Sequence, residues 1–188
     1  MVTPVEARGR SPDGVETKKT TSQSLVHEDL VNLVGPDYQE ILDRRAVSLG
    51  LINEGKSLEL NYPPPHAGSG AGYVFEGVIG KDWVFVYVLR NKPQVNGQLE
   101  RGRTSGHRHS HDSLGEEFVE DYHVLRGGMS LFVGAGHRRI VLNDEESNHF
   151  RVPADTFHRA ESSDAPAFVL VVMPNSSHIP REELHCSP

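Results

Sequence analysis

From residue 57 onward the chain is a succession of short apolar runs separated by clusters of turn formers, a pattern that points to an all-β domain. Strands are predicted at SLELNY (57–62), YVFEGVIG (73–80), WVFVYVLR (83–90), TSGHRHSH (104–111) and FVEDYHVL (118–125). Further strands are predicted at MSLFVGA (129–135), RRIVLN (138–143), NHFRV (148–152), HRAES (158–162) and AFVLVVM (167–173). Between them lie PPPHAGSGAG, NKPQVNGQLERGR, HDSLGEE, RGG, NDEES and SSDAP, all rich in residues that favour turns. Such a series of short strands fits a sandwich or closed barrel of the jelly-roll kind. With no internal repeat in the sequence, one barrel is expected rather than two.

The region before the barrel reads differently. Residues 1–22 are polar and aperiodic and are expected to form a disordered arm. In 23–56 Leu25, Val26, Leu30, Leu33 and Val34 recur at helical spacing, and Pro36 opens a second helical pattern that stops at Gly50. This helical extension is expected to pack outside the barrel or at a subunit contact. The barrel is expected over 57–178, followed by a tail at 179–188.

Charge and hydropathy narrow the partners. A formal net charge of -7 argues against nucleic acid or an anionic membrane as the main partner. The first twenty residues have no apolar core of the signal-peptide type, and no later run approaches the ~20 apolar residues of a membrane span. A cytoplasmic protein without membrane contact is therefore expected. The single cysteine, Cys186, fits a reducing compartment and is not expected to be catalytic.

The densest chemical signal is GHRHSHDS. His107, His109 and His111 are spaced by two, so on a strand all three imidazoles share one face. Neutral imidazoles at this spacing suit a divalent transition metal such as Fe, Mn, Zn or Ni, although an exposed polar hairpin would show the same pattern. Downstream, alternation places Glu120, Tyr122 and Val124 on one face of the next strand. A carboxylate among barrel-lining residues needs a cation or donors, because burying it alone costs several kcal/mol. The segment VPADTFHRAES then brings His158 from a strand distant in sequence.

Taken together these residues resemble the cupin superfamily. Glu120 followed by six residues and Gly127 matches the second half of its first motif, and Pro153, four residues and His158 match its second motif. The resemblance implies a single cupin (jelly-roll) β-barrel. It also implies a metal held by His107, His109, Glu120 and His158, with His111 as the alternative to His107. The spacing departs from the family: ten residues separate His109 from Glu120 and eight separate His111 from it.

The flanks are similar, distantly, to the archaeal-type glucose-6-phosphate isomerases of that superfamily. Their Thr-x-Gly-His-x-His pattern is matched by Thr104, Gly106, His107 and His109, and their late Tyr-Pro segment by Met173, Pro174 and His178. This similarity implies an aldose–ketose isomerase working through a metal-stabilised enediolate. Glu120 and Tyr122 would be the catalytic candidates, Thr104, Gly106 and His178 the substrate-binding ones. A mononuclear Fe(II) dioxygenase would use the same ligands, and a non-catalytic cupin that binds a small ligand is the third class. A small-molecule substrate and a homodimer are the partners the resemblance implies.

Overall fold

The computed structural model describes residues 27–59, 72–93, 99–109 and 119–174. The arm at 1–22, the tail at 179–188, His111 and His178 lie outside them. Two helices, α1 (27–33) and α2 (Tyr38–Ser48), precede the strands. The strands are β1 (Gly72–Ile79), β2 (Asp82–Leu89), β3 (Lys92–Pro93), β4 (Leu99–Glu100) and β5 (Glu120–Arg126). They continue as β6 (Gly128–Val133), β7 (Arg138–Asn143), β8 (His149–Val152), β9 (His158–Ser162) and β10 (Ala167–Pro174). The sheets run β1-β2-β10-β5-β8 and β7-β6-β9, with β3-β4 as a separate ribbon, and every pairing is antiparallel. The fold is an all-β arrangement of the jelly-roll kind with a helical extension before it. Among the described residues no helix is long and apolar enough to cross a membrane.

Alternation on the five-stranded sheet divides the core in two. Val84, Val86, Val88, Phe168 and Leu170 face outward, where Leu30, Val34, Tyr38, Leu42 and Ala46 of the extension cover them. Leu89, Tyr122, Val124, Val169 and Val171 face inward and meet Met129, Leu131, Leu142 and Ala160 of the smaller sheet. The extension is pinned at both ends. The Arg126 guanidinium bridges the Asp37 carboxylate at 2.8 and 2.9 Å, and Asp43 accepts the Leu58 amide and the Ser57 hydroxyl, each at 2.8 Å.

Two predicted strands come out differently. Residues 57–59 are extended but unpaired in any sheet, because the Leu58 amide is turned toward α2. Residues 102–109 run antiparallel to β9 yet make only two isolated bridges, Arg103 with Glu161 and His107 with His158. The ladder breaks where the Ala160 amide donates to the Thr104 hydroxyl (3.0 Å). Between β5 and β6, Gly127 has φ +76, and a Cβ there would overlap the Pro166 carbonyl, so the turn requires glycine.

His123 projects from β5 to the outer face and is 5 % exposed. Its ring stacks on His149 at 4.6 Å and 14°, and its Nδ1 is buried without a hydrogen-bond partner among the described residues. Asp121 on its own strand, His149 and Arg151 on β8 and Arg45 on α2 are the charged groups that act on it. Burial lowers this imidazole to about 4, helped by His149 and Arg45. The folded value lies below the ordinary 6.5, so the unfolded chain takes up this proton first as pH falls. The stability present above pH 6.5 is therefore lost between 6.5 and about 4. Thermal melts are expected to show a smaller drop in Tm between neutral pH and pH about 5 for His123→Leu than for the wild-type chain; an equal drop would refute this account.

Candidate metal centre

Four side chains from three segments converge inside the barrel. His107 and His109 come from the segment beside β9, Glu120 opens β5 and His158 opens β9. The His107 amide donates to the His158 carbonyl (3.0 Å) and the His158 amide to the His107 carbonyl (2.8 Å), so the two rings leave the same side of one bridge. The turn that carries Pro153 is tied to the same segment. There Asp155, with φ 55, donates its amide to the His109 carbonyl at 2.6 Å.

Each side chain offers one ligand atom, and the four atoms lie within 4.8 Å of one another. Nε2 of His109 is 3.4 Å from Glu120 Oε1, Nε2 of His107 is 3.8 Å from Oε2, and Nε2 of His158 lies in close contact with Oε2. The outer nitrogens are held by the local chain: Nδ1 of His107 pairs with the Ser105 carbonyl (2.8 Å) and Nδ1 of His158 with the Thr156 carbonyl (2.9 Å). A carbonyl accepts only, so each Nδ1 carries the hydrogen and each Nε2 presents a lone pair inward.

This donor set fits a divalent first-row metal. Ligands about 2 Å from such an ion stand about 3–4 Å apart, close to the separations seen here. Nε2 of His109 and of His158 are fully buried and face no polar group other than the Glu120 carboxylate, an arrangement that a cation between them would complete. Three imidazoles and one carboxylate suit Fe, Mn, Zn, Ni or Cu, and the donors do not choose among them.

Electrostatics support the same arrangement. Burial raises the proton affinity of the Glu120 carboxyl, but the His109 and His158 side chains against it outweigh burial and hold it well below the usual carboxylate range. Burial pushes His107 down to about 4, so it stays neutral. For His158 burial acts downward, and the adjoining Glu120 carboxylate overcomes it and raises the imidazole. The Tyr122 hydroxyl points at Glu120 Oε2 from 3.4 Å. Burial, then the Glu120 charge, raises this phenol well above its ordinary range, so it remains protonated.

The remaining candidates sit around this centre in various ways. Thr104 is buried in contact with β9: its amide donates to the Ala160 carbonyl (3.0 Å) and its hydroxyl accepts the Ala160 amide. Gly106 packs where a Cβ would overlap the Phe157 ring. Met173 is buried on the inner face of β10 opposite Trp83. Tyr87, on β2, also comes within reach of the centre: the Glu120 charge acts on it, and burial is the main cause that raises its phenol. The alternation of WVFVYV could have revealed its inward direction, but not its distance from Glu120.

No family model and no curated protein matches the chain. Among solved structures, it is similar to CapF with the inhibitor 3-isopropenyl-tropolone, with TM-score 0.48, 13% identity, and coverage of 68% of this chain and 33% of that one. The chain thus spans about a third of the length of CapF. It is also similar to an uncharacterized conserved protein with a double-stranded β-helix domain from Klebsiella pneumoniae (TM-score 0.43, 18% identity, 61% and 80% coverage). A cupin-2 domain containing protein from Shewanella frigidimarina is a further neighbour (TM-score 0.38, 10% identity, 68% and 89% coverage).

Purified protein is expected to carry about one equivalent of a divalent first-row metal by elemental analysis. The double variant Glu120→Ala/His158→Ala should lose it, and metal retained by that folded variant would remove the site as drawn.

Proposed function

We propose that this chain is a metal-dependent enzyme that grips a small substrate through neighbouring carbonyl and hydroxyl oxygens and moves a proton between adjacent carbons, an isomerisation of the aldose–ketose type. The observation that carries this reading is the buried pair formed by the Tyr122 hydroxyl and the Glu120 carboxylate, 3.4 Å apart at the ligand cluster. A divalent ion held by His107, His109, Glu120 and His158 would supply Lewis-acid polarisation of the substrate's carbonyl oxygen.

The protein's own groups divide the remaining work. Glu120 stays ionised and serves as a ligand. Its Oε2 also takes the proton from one carbon and returns it to the neighbouring carbon, while the Tyr122 hydroxyl, which stays protonated, donates a hydrogen bond at the same place. Inward-facing Val124, Val169 and Val171 keep water from this pair. The sugar phosphate of the resembling isomerases is not part of the proposal. The Thr104 hydroxyl is committed to the Ala160 amide, Gly106 lies against Phe157, and His178 is outside the described residues.

One observation favours a second reading. Trp83, Phe85 and Tyr87 line the inner face with Tyr122, which gives the apolar wall that an Fe(II) dioxygenase acting on a small organic substrate would use.

Chelator-stripped protein is expected to lose interconversion of an aldose–ketose pair and to regain it under nitrogen when metal is restored. Tyr122→Phe should lower kcat by about 10²–10⁴ with metal content unchanged. Turnover that consumes oxygen and requires Fe(II) would replace the isomerase by the dioxygenase.

A further inference from the structure

The inner face of the five-stranded sheet carries two parallel ladders. On β2 alternation brings Trp83, Phe85 and Tyr87 inward. The Trp83 and Phe85 rings meet edge to face at 6.0 Å and 83°, and Phe85 and Tyr87 stack at 6.3 Å and 5°. On β5 Glu120 and Tyr122 point to the same side.

The register puts these ladders in step. Phe85 and Tyr122 both stand opposite Val171, and Tyr87 and Val124 both stand opposite Val169. Trp83 stands opposite Met173, which follows the Val172–Asp121 pair and so comes level with Glu120. With only β10 between them, the ladders are about 10 Å apart. Val169 and Val171 are fully buried beneath, whereas the three aromatic side chains are partly accessible. Only the short side chains of Val169 and Val171 stand between the two taller rows, with aromatic faces on one bank and the ligand cluster with its phenol on the other. Flat apolar groups pair well with such ring faces.

We infer that the substrate carries a flat apolar group, aryl or conjugated, that lies along Trp83, Phe85 and Tyr87 while its oxygens reach His107, His109, Glu120 and His158. The inference rests on reading those four side chains as a metal centre. It sets the substrate class by the bank opposite the metal, and Phe85, at the middle of the ladder and level with Tyr122, is its specificity-determining residue.

Mandelate and lactate test it, because they present the same α-hydroxycarboxylate and differ by a phenyl in place of a methyl. Affinities of both for the zinc-loaded full chain are measured by calorimetry. Trp83 is the only tryptophan of the chain, so its emission reports where the phenyl lies. Mandelate is expected to bind about tenfold tighter than lactate and to change Trp83 emission. Phe85→Ala, and Phe85→Leu as the variant that preserves apolar bulk, should remove most of that preference and leave zinc content and lactate affinity unchanged. Equal affinities in the wild-type chain, a preference untouched by Phe85→Leu, or mandelate binding without a change in Trp83 emission overturns the aromatic subsite alone when zinc is bound. A chain that takes up no zinc overturns the metal centre and this inference with it.

Discussion

Placing the Glu120 carboxylate inside an apolar barrel costs several kcal/mol unless positive charge or donors meet it there. His109 and His158 lie against its two oxygens, His107 stands close by, and the Tyr122 hydroxyl approaches from the same strand. No solvent compensates it, since the side chain is 2 % exposed. The barrel interior thus holds a negative charge whose natural complement is a cation with several open valences. Metal uptake would relieve the orphaned imidazole nitrogens and the carboxylate at once.

The same sheet serves two masters through strict alternation. Its outer valines and Phe168 hold the helical extension, and its inner residues build the centre. A helix on the outside therefore fixes the strands whose other side bears the ligand cluster. Arg126 joins the two: it belongs to the strand that carries Glu120 and binds Asp37 at the start of α2.

Much of this could be read from the residues. The runs RRIVLN and HRAES coincide with β7 and β9 because turn formers bound them sharply on both sides. The two-residue period correctly put Glu120, Tyr122 and Val124 on one buried face. Other features were hidden because they depend on tertiary contacts. Nothing local in TSGHRHSH announces that a threonine side chain would replace a backbone acceptor and interrupt the ladder. The Lys92–Pro93 and Leu99–Glu100 ribbon lies in a stretch whose composition reads as a loop. Among the described residues His107 and His109 enter the cluster, placed there by the pairing of His107 with β9, which spacing alone could not reveal. Nothing local marks His123 as buried; its burial comes from the outer face of the sheet, where the His149 ring stacks on it.

His107 and His158 each rest their outer nitrogen on the carbonyl two residues earlier in their own chain segment. Ring orientation is thereby written into two tripeptides instead of being borrowed from distant side chains. A centre built this way is modular. Surrounding connections can be lengthened, shortened or exchanged in the course of evolution without re-aiming the imidazoles, so the surroundings can drift while the ligand cluster stays put.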